Sequence, residues 1–138
     1  MSDDDGSAMV EFTWLAVLLV VPLVYVLLSA LAVQRTAFGV TEAARQAGRA
    51  YATADDLAQA EARAREAVAL ALRDQGVQEP PELEVTCDGP CLAPGTTVTV
   101  RVAHEVRLPV LSLLGDAAPV VPVSATHDEV VDVFQEAP

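Results

Sequence analysis

The chain has 138 residues, 52% of them hydrophobic, and yet it carries a formal net charge of −12. A small chain that joins positive mean hydropathy to so many carboxylates must keep its apolar residues segregated. Twenty acidic residues against eight basic ones exclude electrostatic binding to nucleic acid or anionic lipid as the main activity.

The first six residues, MSDDDG, are acidic, and GSAMVEF at positions 6–12 follows them. Glu11 thus stands at the mouth of an apolar stretch, where a plain anchor has no need of a carboxylate. Taken to the centre of a bilayer such a group costs up to about 3 kcal/mol, so it tends to persist only with a partner. The plainer reading is a solvated helix end, where a carboxylate suits the positive end of the helix dipole.

Residues 12–33, FTWLAVLLVVPLVYVLLSALAV, contain no charge. As a helix these 22 residues cover about 33 Å, slightly more than the hydrocarbon thickness of a bilayer. The run is too long for the apolar core of a cleaved signal peptide and lacks a basic flank before it. A membrane-spanning helix is expected, kinked at Pro22. Two cues to its orientation conflict. Arg35, Arg45 and Arg49 after the span put the following domain in the cytoplasm by the positive-inside rule. A lone close cysteine pair, Cys87 and Cys91, suits an oxidising compartment instead. Lys, Asn and Ile, whose codons are the most AT-rich, are absent, which points to a GC-rich bacterial genome.

About 105 residues follow the span, enough for one small domain. The anchor helix should continue through 34–51, with Val40, Ala44, Ala47 and Tyr51 as its apolar stripe and Gly39 as a soft point. Glu42, Arg45 and Arg49 take the other side. Thr53, followed by Asp55 and Asp56, reads as the N-cap of a second helix that ends at Gly76. Leu57, Ala60, Ala64, Val68, Ala71 and Leu72 would be its buried stripe, and Glu61 and Arg65 an i,i+4 pair. Its charged face reads as a solvated one.

Pro80 and Pro81 end the helical region, and three alternating runs predict strands at 83–87, 97–108 and 121–127. Leu83, Val85 and Cys87 share a side of the first. Val98, Val100, Val102, His104, Val106 and Leu108 share one in the second, and Val121, Val123, Ala125 and His127 in the third. Half-apolar strands make a sheet covered on one face, with the preceding helix as the cover. The fold class is α+β: an amino-terminal transmembrane helix, a helical region, and a small antiparallel sheet of about three strands packed on helix.

Cys87 and Cys91 bracket Asp88-Gly89-Pro90. A disulfide pinning the turn between strands is the leading reading and free thiols are the alternative; zinc lacks the four ligands it normally takes. His104 and His127 lie on the apolar sides of neighbouring strands and could approach each other, most simply as hydrogen-bonded core residues. The apolar connection 108–114 either packs on the core or meets a partner subunit or membrane surface. No phosphate loop, nucleophile elbow or metalloprotease motif is present, so neither an enzyme nor a cofactor is expected.

The string GSAMVEF, a Gly followed five residues on by Glu-Phe and then about 20 apolar residues, resembles the type IV prepilin amino terminus. AFGVTEAARQAGRAYATA, CDGPC, TTVTVRVAHEVRLP and VSATHDEVVDVF extend the resemblance over nearly the whole chain to the TadE-like family, minor pilin-like proteins (pseudopilins) of the tight-adherence, or Flp, pilus system. The resemblance implies a pilin-like fold and cleavage by a prepilin peptidase between Gly6 and Ser7. It also implies assembly contacts at Glu11 and Phe12, with Glu11 of one subunit neutralising the new Ser7 ammonium of a neighbour. The expected organisation is a leader at 1–6, a membrane helix at 7–35, a helical stalk and packing helix at 36–79, and a β region at 80–138. The expected partners are other pilin-like subunits, a pilus assembly platform, the prepilin peptidase and membrane lipid. The chain would be single-pass in the cytoplasmic membrane with its carboxyl-terminal domain outside. Asp3, Asp4 and Asp5 depart from the usual basic leader. A signal-anchored extracytoplasmic binding module unrelated to pili is the alternative.

Overall fold

The computed structural model describes residues 4–108 and 119–134. The connection at 109–114 therefore lies outside the described residues. Five elements occur in order: helix α1 (Asp4–Ala52), helix α2 (Leu57–Asp74), and strands β1 (Glu82–Cys87), β2 (Thr97–Arg107) and β3 (Val120–Val130). The class is α+β, with one antiparallel sheet in the order β1-β2-β3.

α1 is one helix of 49 residues that runs through both Pro22 and Gly39. Its two halves have opposite surroundings. Before Thr36 no described side chain is fully buried; from there on Val40, Ala43, Ala44, Ala47 and Tyr51 enter the core. At Gly39 a Cβ would sit 2.9 Å from Gln75 Cγ, so the glycine serves the close approach of α1 to the end of α2.

The start of α2 differs from the reading of Thr53 as its cap. Thr53 closes the preceding helix instead, its hydroxyl donating to the Arg49 carbonyl. The N-cap is Asp56, whose carboxylate accepts from the Gln59 N–H at 2.8 Å. Gln59 Oε1 reaches back to accept from the Asp55 N–H, a variant of the capping box shifted by one residue. Because the helix starts three residues later than the sequence suggests, Leu57 falls in the first turn and stays exposed. Ala60, Ala64, Val68, Ala71 and Leu72 form the buried stripe as expected. The helix ends in a Schellman motif: Gly76, with φ +79°, donates to Arg73, and Val77 donates to Leu72.

The register pairs Val85 with Val100 and Val100 with His127, so the inner faces of all three strands align. Val98, Val100 and Val102 are fully buried at the centre. α1, rather than the immediately preceding α2, covers β2 and β3, while α2 packs against α1 and borders a groove that Leu83 of β1 also lines. α1 and β2 run in opposite directions. Ala32 and Thr36 share a groove with Val106 and Arg107, and Gly48 meets Val100 and His127.

Candidate functional site

The candidate site is the amino-terminal half of α1. Gly6 and Ser7 lie within the helix, and Glu11 and Phe12 project from its third turn. Met9, Phe12, Trp14, Leu18 and Leu19 are among the large apolar side chains left open here. The helix is long and apolar enough to cross a membrane, and none of its most apolar 18-residue window is buried by the rest of the chain. It is a candidate membrane anchor. A soluble domain has no reason to leave so much contiguous hydrocarbon uncovered. Within this apolar surface Thr13 satisfies its hydroxyl on its own helix, donating to the Met9 carbonyl at 2.8 Å. Glu11 is exposed beside it.

The opposite end of the domain is closed by the β1–β2 connection. Cys87 and Cys91 have their sulfurs at bonding distance, 2.01 Å, with Cα atoms 5.6 Å apart. Within the loop Asp88 does two jobs. Its N–H donates to the Thr97 carbonyl, and its carboxylate accepts from the Thr97 N–H. Leu92 stands next to the bridge with φ 69° and its side chain 97% buried (3% exposed). The left-handed backbone costs about 1–2 kcal/mol, and burying the leucine returns about 1.5–3 kcal/mol. The composition of the loop gave no sign of this plug, since a leucine there reads as ordinary loop sequence.

His104 and His127 are not brought together. The register sets His104 opposite Val123 and His127 opposite Val100, which separates the two histidines by about 13 Å along β2. His127 lies instead 3.2 Å from Glu129 Oε2 on the inner face of β3. Glu129 continues the inward face of the strand beyond His127, its carboxylate partnered by the imidazole. Gly48 makes room for the pair: a Cβ there would come 3.2 Å from His127 Cδ2. Among the described residues no group of three or more His, Cys, Asp or Glu side chains is placed to hold a metal ion.

The charges on α1 beyond the apolar half are solvated, Arg35, Arg45 and Arg49 all being exposed. On α2, Glu61 and Arg65 pair at 2.6 Å with both side chains largely in water, so this ion pair contributes little stability. Burial first, and the Glu61 carboxylate second, raise the Tyr51 phenol above its ordinary value of 10.

No protein-family model, curated protein or solved structure matches the chain.

Proposed function

We propose that this chain is a membrane-anchored minor pilin-like subunit, a pseudopilin, that supports assembly of a tight-adherence pilus. The observation that carries the reading is Gly6 followed by Glu11 and Phe12 at the start of an uncovered apolar helix that continues without interruption into a folded domain. An anchor alone would be served by the apolar residues. A carboxylate at its mouth is favoured when a cation is delivered to it in a low-dielectric setting, and cleavage after Gly6 would create one at Ser7.

In this reading the helices of neighbouring subunits bundle through their exposed apolar halves, and Glu11 of each faces the ammonium of another. The domain stands outside the membrane, where Cys87 and Cys91 remain oxidised. The partners are other pilin-like subunits and the assembly platform.

Mass spectrometry of the protein from its native membrane is the test. A mature chain beginning at Ser7 is expected. An intact amino terminus in cells with an active prepilin peptidase overturns the processing step. The arginines after the span favour a second orientation, with the domain in the cytoplasm. Thiol labelling of intact cells with an impermeant maleimide, with and without reductant, separates the two. Labelling only after reduction places the cysteines outside.

A further inference from the structure

The apolar run of α1 ends at Val33, and Gln34 and Arg35 follow it. At this level the helix meets the base of the domain. Ala32, Arg35 and Thr36 form one wall of an open groove of about 410 Å³, and the turn after α2 and the end of β2 form the others. Besides the half-buried His104, four charged residues border it: Arg35, Arg107, Glu79 and Glu105, all exposed. Arg107 and Glu79 approach to 3.6 Å with more than half of each side chain in water. Such a pair is weak, so both groups stay open to a ligand.

The depth of the groove follows from α1. With residues 12–33 across the hydrocarbon, Arg35 and Thr36 stand about 3–5 Å beyond it. That is inside the polar headgroup layer, which is about 5–8 Å thick on each side of a bilayer. Two arginines and two carboxylates cancel, so the groove has no net attraction for a purely anionic headgroup. Its complement is a ligand that carries a phosphate and a hydrogen-bonding cation side by side.

We propose that this groove binds the headgroup of phosphatidylethanolamine. The phosphodiester accepts from the guanidinium groups of Arg35 and Arg107, whose planar forks suit phosphate oxygens. The primary ammonium donates to the carboxylates of Glu79 and Glu105. Phosphatidylcholine offers the same phosphate, but its quaternary ammonium has no N–H to donate. Phosphatidylglycerol has no cation at all. The site rests on membrane anchorage through α1 and is independent of pilus assembly.

The test reconstitutes the full chain in phosphatidylcholine vesicles with equal minor fractions of phosphatidylethanolamine and phosphatidylglycerol. Mild detergent extraction and mass spectrometry then identify the lipid that stays bound. Phosphatidylethanolamine should be retained about fivefold over its share of the bilayer, the factor expected from one charge-assisted hydrogen bond at an exposed site. Arg35→Gln with Arg107→Gln should abolish this enrichment. Glu79→Gln with Glu105→Gln should bring phosphatidylethanolamine down to the level of phosphatidylcholine. Circular dichroism of both variants should match the parent, because all four positions are exposed. Soluble glycerophosphoethanolamine at the lipid's own concentration should not displace it, and equal competition would overturn a lipid source. Retention of the three lipids in proportion to their shares, or a preference for phosphatidylglycerol, overturns the headgroup assignment. Undiminished enrichment in the arginine variant overturns the groove as its place. A parent chain that stays out of the vesicles overturns the anchorage, and the site with it.

Discussion

Gly48 and Tyr51 show how single side chains on α1 set the fit of the domain. At Gly48 the edge of the His127 ring and the Glu129 Cβ already lie within 3.4 Å of where a Cβ would stand. Gly48→Leu should therefore push β3 off the helix and destabilise the domain by about 1–3 kcal/mol, read from the urea midpoint. At Tyr51 the folded state keeps the phenol protonated to higher pH than the unfolded chain does. The native state then binds more protons above pH 10. This contribution is fully present below the ordinary phenol value of 10 and is lost as pH rises through the raised one. Tyr51→Phe should make stability fall less steeply above that pH in urea titrations. An unchanged slope would mean that the phenol is not coupled to folding. At the other end of the helix, the proposed pilin-like role makes Glu11→Leu a test: membrane insertion should stay intact and pilus assembly should fall, and normal piliation in that variant would overturn the role proposed for Glu11.

Among the elements, those whose sequence periodicity matches a single partner face were legible in advance. The alternation of Val98, Val100 and Val102 fixes which side of β2 is buried, and the structure buries that side. Ala60, Ala64 and Val68 do the same for α2. Element ends and cross-strand registers were less legible, because they depend on competition between alternatives of similar local energy. Thr53 and Asp56 are both competent caps. Asp56 prevails because α1 extends through Thr53's donor bond to Arg49. The two histidines share a sheet face, but only the pairing register reveals that they stand four residues apart on it. The buried Leu92 was invisible for the same reason. Its backbone is fixed by the bridge and by Thr96 donating to the Pro90 carbonyl, both tertiary features. Replacing Cys87 and Cys91 together by serine should cost about 2 kcal/mol by the chain-entropy model for so short a loop. Thermal unfolding with and without reductant measures it, and reductant should have no effect on the double variant.

The molecule as a whole has its core displaced to one end. Every fully buried described residue lies at or after Thr36, so a chain starting at Gln34 should fold with a cooperative thermal transition by circular dichroism. Loss of that transition would show that the apolar half of α1 also stabilises the domain. At the amino-terminal candidate site the residue pattern made the uncovered apolar helix legible, and the structure leaves Glu11 and Phe12 exposed on it. What those two side chains meet is a matter for the proposal, because sequence periodicity reports burial within one chain and carries no record of contacts beyond it. Cleavage after Gly6 would take the net charge from −12 to −9 by removing three aspartates, leaving the domain unsuited to polyanions.

An unbroken α1 also has a mechanical consequence. Its 49 residues span about 74 Å as a single rod, with no joint between the apolar half and the half clamped beneath the sheet. A pull along the helix axis is transmitted through this rod toward the Glu11 end. A sideways load is taken up first at Pro22, where the backbone ladder lacks one bond. Sideways force on the sheet should therefore bend the rod inside its apolar half, with Pro22 as the pivot.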